Sequence, residues 1–106
     1  MKLRDIAERD FDTFSGYALE RYFTGKFVED GACTRIGGWW DRKGENEIDI
    51  VCEDEVAGTI GFYEVKVDPR RFDAAGLARK TEAFFSKNPD KKGLRATTRL
   101  LSLADM

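Results

Sequence analysis

Residues 47–67, EIDIVCEDEVAGTIGFYEVKV, constrain this chain more than any other stretch. Two runs rich in β-branched and aromatic residues flank the polar, glycine-ended turn DEVAG, which is the pattern of a β-hairpin. Yet the runs carry Asp49, Glu64 and Lys66, and a charge taken out of water there needs a partner, a metal or a protonation shift. Strict alternation puts Ile48, Ile50 and Cys52 on one face of the first strand and Glu47, Asp49 and Val51 on the other. On the second strand Glu64 and Lys66 point one way, and Tyr63, Val65 and Val67 the other. Two neighbouring registers around DEVAG set Asp49 directly opposite Glu64 or diagonal to it, within ~5–8 Å.

The rest of the chain supplies a frame for the hairpin. Ile6 to Phe27 reads as a helix, with apolar residues at Phe11, Phe14, Ala18, Leu19, Tyr22 and Phe23 close to the 3.6-residue period. Asp10 or Asp12 is placed to cap it, and Gly25 to end or interrupt it. TRIGGWW is a short extended run, parted from EIDIVCE by the turn DRKGEN, so three strands form an antiparallel meander. Arg70 to Ser86 reads as a second helix, closed by KNPDKKG. LRATTRLLSL fits a last strand, lying beside the EVK strand with the second helix as crossover. The order is αβββαβ in a single domain of 106 residues. No apolar run approaches the ~20 residues of a membrane span and the N-terminus has no signal-like segment, so a cytoplasmic location is expected.

Composition narrows the chemistry. The chain has no His, which excludes a Ser-His-Asp triad and a Cys-His pair, and the spacing of Cys33 and Cys52 is not that of a zinc site. Both cysteines read as small buried thiols. Catalysis must rest on carboxylates, Lys, Arg or Tyr. Two close carboxylates repel unless a cation compensates. Lys66 supplies one positive charge, and a hard ion such as Mg²⁺, which takes oxygen ligands and keeps several waters, would supply more. Asp49, Glu64 and Lys66 then form a set suited to phosphodiester hydrolysis, with Asp49 and Glu64 on the ion and Lys66 positioning the nucleophile or offsetting charge. The competing account is a salt-bridged sheet edge without chemistry. Asp41-Arg42-Lys43 and Asp90-Lys91-Lys92 match the same tripeptide pattern, but they lie in polar turns.

EID followed by EVK on the second and third strands of an αβββαβ order resembles the PD-(D/E)xK nuclease superfamily. The resemblance implies a restriction-endonuclease-like α/β fold, a central mixed sheet flanked by helices, with Asp49, Glu64 and Lys66 catalytic and Mg²⁺ or Mn²⁺ as cofactor. The first Asp sits in EID here rather than after a Pro. Members often add a Glu from the first helix, for which Glu20 in YALERYF is the candidate, with Glu47 a second auxiliary. IGGWWDRKGENEIDIV, FYEVKV and the terminal SLADM also resemble the nuclease-like C-terminal domain of archaeal and bacterial AAA-type ATPases. That likeness implies a fragment of a larger ATPase, although the chain itself has no GxxxxGK[ST] phosphate loop. It also implies nucleic acid, DNA foremost, as substrate, and a homodimer for cutting both strands. The rival expectation is a degenerate nuclease fold retained as a DNA-binding or regulatory module of such an ATPase.

Net charge is −2, but residues 1–69 hold 9 Lys and Arg against 16 Asp and Glu, whereas residues 70–106 hold 9 against 4. The basic final third, with Arg70, Arg71, Arg79 and Lys80 directly after the candidate site, suits phosphate contacts or simply a solvated helix face. The adjacent Trp39 and Trp40 must face opposite ways on a strand. They therefore do not form one stacking platform, and one of them belongs to the core.

Overall fold

A computed structural model describes the backbone of residues 3–106 and the side chains of residues 16–106. The elements are α1 (Leu3–Glu29), β1 (Arg35–Trp40), β2 (Glu47–Asp54), β3 (Thr59–Val65), α2 (Ala74–Lys87) and β4 (Arg95–Leu101), joined partly by short 3₁₀ turns. The sheet order is β1-β2-β3-β4, antiparallel between the first three strands and parallel between β3 and β4. This is an α/β fold with a mixed four-stranded sheet and two helices, and α2 makes the crossover from β3 to its parallel neighbour.

Each helix covers one face. Leu19 and Phe23 of α1, one turn apart, pack with Ile50, Val65 and Leu101, flanked by Phe27, Ile36, Tyr63 and Val67. On the other face Leu77 and Phe84 of α2 pack with Ile48, Val51, Ile60 and Phe62. The Phe84 ring meets Phe62, Trp39 and Phe85 edge-on at 5.1–5.5 Å between centroids, a favourable arrangement for aromatic quadrupoles. Trp39 therefore belongs to the core, while Trp40 is 69% exposed.

Helix α1 runs through Gly25 and ends four residues later. Gly31, at φ 64°, takes the left-handed position beyond the helix. Its N–H donates to Val28 O and the Ala32 N–H to Phe27 O, both at 3.1 Å, which satisfies the orphan carbonyls of the last turn. The helix also begins upstream of the expected caps, Asp10 and Asp12, whose side chains lie outside the described residues. The second helix starts later than expected. Asp68 caps a 3₁₀ turn over Pro69–Arg71, and Asp73 then accepts the Gly76 N–H at 2.9 Å to start α2 afresh at Ala74.

Cys33 and Cys52 are not free thiols; they form a disulfide. The loop after α1 is drawn back along β2, where the Thr34 N–H donates to Glu53 O at 2.7 Å, and this brings the two Cα atoms to 5.4 Å. Among the described residues no helix is long and apolar enough to cross a membrane.

Candidate functional site

The alternation expected for β2 fails at Asp49. Pairing with β1 runs from Arg35↔Glu53 to Gly37↔Val51 and then shifts, so that Trp39 pairs with Ile48. Asp49 and Ile50 are thus set against the single residue Gly38, a β-bulge. In consequence Ile48 packs toward α2 and Ile50 toward α1, correcting the single face expected for them, and Val51 joins Ile48. Gly38 suits the bulge because a Cβ there would meet Asp49 O at 3.3 Å and Ile48 O at 3.5 Å. The bulge lies at the Asp49 end of the hairpin.

The β2–β3 ladder ends at Ile50↔Tyr63. The same register carried one step further sets Asp49 opposite Glu64, the first of the two expected arrangements. Beyond that pair a side chain replaces the backbone partner: Asp49 Oδ2 accepts the Val65 N–H at 2.8 Å. The Asp49 carboxylate therefore sits where β2 and β3 part. Burial pushes its carboxyl above the ordinary range. The Val65 N–H works against this shift, Glu64 adds to it, and Lys66 and Lys80 offset it.

Glu64 is buried, 7% exposed, on the α2 side of the sheet. Its Oε1 accepts from Lys80 Nζ at 3.0 Å. Lys66, partly buried, is the first residue beyond β3, and its N–H continues the β4 pairing by donating to Leu101 O at 3.0 Å. Glu20 projects from α1, next to the buried Leu19, and is partly buried. Its carboxyl is also pushed up, first by burial, then by the charges of Asp49 and Glu47. Glu47 itself is exposed at the start of β2. Asp49 thus lies near the carboxylates of Glu20 and Glu64 and the ammonium groups of Lys66 and Lys80, and Glu20 in turn lies near Glu47.

Two acceptors remain open there. Neither Asp49 Oδ1 nor Glu64 Oε2 takes part in the hydrogen bonds above, and among the described residues no fully buried side-chain polar atom lacks a partner. Among the described residues neither oxygen therefore has a partner. Among the described residues no group of three or more carboxylates encloses an ion by itself. A Mg²⁺-type ion takes one or two protein carboxylates beside water and substrate oxygens, and Asp49 and Glu64 supply that number.

The four cations expected to contact nucleic acid separate into different roles. Arg70 forks onto Asp68, with Nε–Oδ1 and Nη2–Oδ2 both at 3.0 Å, and Arg79 Nη2 lies 3.8 Å from Asp73 at an exposed position. Arg71 lines a cavity together with Lys66. Lys80 does not face outward as a backbone contact would; it turns inward to Glu64. The sequence held the signal for this, since Lys80 follows Leu77 by three and precedes Phe84 by four, on the helix face that is buried. A second inward charge, Glu53 of β2, pairs with Lys91 Nζ at 2.9 Å well away from Asp49.

The geometry defines an α/β domain with a cluster of carboxylates and lysines at the parting ends of two central strands. By comparison with family models, residues 2–77 match DUF234, described as archaeal and bacterial proteins of unknown function, and the chain belongs to that family. The matched segment includes Glu20, Glu47, Asp49, Glu64, Lys66 and Arg71, and stops before Lys80. No curated protein and no solved structure is found to match the chain.

Proposed function

We propose that this chain is a metal-dependent phosphodiesterase of the PD-(D/E)xK type, with a restriction-endonuclease-like fold, acting on nucleic acid and on DNA foremost. The observation that carries the proposal is the crowding of carboxylates around Asp49. Burial is the first cause that makes both Glu20 and Asp49 hold their protons more tightly than free carboxyls; the charges of Asp49 and Glu47 add to it at Glu20, and that of Glu64 adds to it at Asp49. Carboxylates crowded in this way gain from a bound cation, which offsets their mutual repulsion.

Asp49 Oδ1 and Glu64 Oε2 would hold Mg²⁺ or Mn²⁺, which when bound supplies a polarised phosphate and a more acidic water. The chain's own groups do the rest. Val65 N–H fixes the Asp49 carboxylate, and Lys80 fixes that of Glu64, so neither has to reorganise when substrate arrives. The Lys66 ammonium offsets negative charge as it builds on the phosphate. Glu20, with its raised affinity for a proton, is suited to take one from the attacking water.

A second reading, a catalytically silent DNA-binding or regulatory module of an AAA-type ATPase, is favoured by the acidic balance of residues 1–69. Incubation with supercoiled plasmid and single-stranded DNA, with Mg²⁺ or Mn²⁺, separates the two. The nuclease reading expects metal-dependent cleavage that Glu64→Gln and Lys66→Met each reduce by roughly 100-fold or more, as loss of a transition-state contact does. Cleavage undiminished in Lys66→Met, or none by the wild type with either ion, counts against it.

A further inference from the structure

Beside the cluster lies a cavity of about 280 Å³, between α1 and the segment that leaves β3. Its lining is Gly16 on one side and Val65, Lys66, Val67, Asp68 and Arg71 on the other. The floor is apolar, because Val65 and Val67 belong to the core cluster under α1. The walls carry two cations, Lys66 and Arg71. Among the described residues neither forms an ion pair, in contrast to Arg70, Arg79 and Lys80 nearby. The one acid among the described lining residues, Asp68, is already paired. Asp68 accepts from the Arg70 side chain and from the Arg70 N–H, and these bonds hold its carboxyl below the usual range. Among its described lining residues the cavity thus presents net positive charge over an apolar floor, a setting for a sugar-phosphate unit.

Its position adds a direction. Val65 lines the cavity and its N–H binds Asp49, and Lys66 both lines the cavity and lies near Asp49. An anion in the cavity is therefore next to the cluster. Gly16 lines the α1 side without a side chain, and the space into which a Cβ would project there is open, with nothing within 4 Å. Gly inside a helix costs about 1 kcal/mol relative to Ala, so a larger residue at position 16 would improve the helix and fill the entrance.

We infer that this cavity is the subsite for a backbone phosphate of the nucleic acid next to the one under attack, held by Arg71 and Lys66 and kept accessible by Gly16. The inference deepens the nuclease reading and rests on it for the identity of the strand, though the anion site itself stands on the cavity. Amide resonances of the ¹⁵N-labelled protein are followed while inorganic phosphate, and separately a short DNA duplex, is added. Wild type, Arg71→Ala, Gly16→Leu, the double variant and Lys43→Ala, an exposed turn cation, are compared.

Saturable phosphate shifts at Gly16, Lys66 and Arg71 are expected, absent from Arg71→Ala and Gly16→Leu and retained by Lys43→Ala. DNA affinity should fall roughly tenfold or more in either single variant, the loss of one charge-assisted hydrogen bond. The double variant should be no worse than the singles, and the slope of log K against log salt should shrink by about one in Arg71→Ala. Wild-type cleavage with DNA binding unchanged in Arg71→Ala and Gly16→Leu overturns the subsite and leaves the nuclease reading standing. Phosphate shifts at these residues without any DNA binding keep the anion site and remove both the nucleic acid and the nuclease reading. No phosphate shift at Gly16, Lys66 or Arg71 overturns the inference.

Discussion

Replacing Lys80 by Met tests whether the buried charge at Glu64 depends on a single partner. The Lys80 Nζ–Glu64 Oε1 distance is 3.0 Å, with side-chain exposures of 28% and 10%. At that distance the gross attraction is about 1.4 kcal/mol in water and about 5.5 kcal/mol at an effective dielectric constant of 20. Desolvation offsets much of this, and Lys80 retains a route to solvent, so the measurable effect lies between a surface pair, ~0–1 kcal/mol, and a buried pair that loses one partner, ~3–5 kcal/mol. We expect Lys80→Met to lower stability by about 2 kcal/mol, or about 8–16 °C in Tm for a domain of this size. Glu64→Gln should cost less, because Lys80 can swing outward while Glu64 cannot. In a double-mutant cycle by urea denaturation, Glu64→Gln combined with Lys80→Met should recover most of the loss. A Lys80→Met variant within about 0.5 kcal/mol of wild type, or a double variant whose loss equals the sum of the singles, would refute the pairing as the reason Glu64 is tolerated.

Asp49 and Glu20 both have folded-state affinities for protons above those of the unfolded chain. Their contribution to stability is therefore full below the ordinary carboxylate range and is lost as pH rises through the raised folded values. Asp49→Asn, which keeps an acceptor for Val65 N–H, should raise the urea midpoint at neutral pH, with the gain vanishing at acid pH; a gain independent of pH would contradict this. The Cys33–Cys52 disulfide closes a separation of 19 residues. Its removal as Cys33→Ala with Cys52→Ala should cost about 3 kcal/mol in calorimetry, and reductant should bring the wild type to the same Tm. Phe84→Ala removes the ring at the centre of the α2-face cluster and should cost about 3–5 kcal/mol, enough to unfold much of a marginally stable domain, as far-ultraviolet circular dichroism would register.

Much of the frame was legible because it depends on periodicity and turns. Alternating apolar runs around DEVAG specify the hairpin, and the Leu77–Phe84 spacing within 70–86 specifies a helix long enough to return the chain for the parallel pairing of β4 with β3. Details that depend on one residue's tertiary neighbours were not legible. IGGWW offers two glycines and does not say which faces a bulge, so the strict alternation of EIDIV put Ile48 and Ile50 on the same face. Gly25 and Gly31 are equal as letters; only the docking of Phe23 and Phe27 on the sheet carries the helix past the first. Cys33 and Cys52 become partners because the loop after α1 lies along β2, which spacing alone does not reveal. Within the site, the placing of Asp49 opposite Glu64 follows from the hairpin register, whereas the bulge at Asp49 does not follow from alternation. Glu20 was suggested by the resemblance, and its closeness to Asp49 is a fact of how α1 crosses the sheet. By charge alone Lys80 is a surface cation; its helical phase between Leu77 and Phe84 is what turns it inward to Glu64.

The central claim is that the carboxylates around Asp49 are arranged for a cation. Calorimetric titration of Mn²⁺ into the wild type, beside Asp49→Asn and Glu64→Gln, tests it most directly. The account predicts one saturable site that is lost in both variants although both remain folded. Equal heats for all three proteins, or no binding by the wild type, would contradict it.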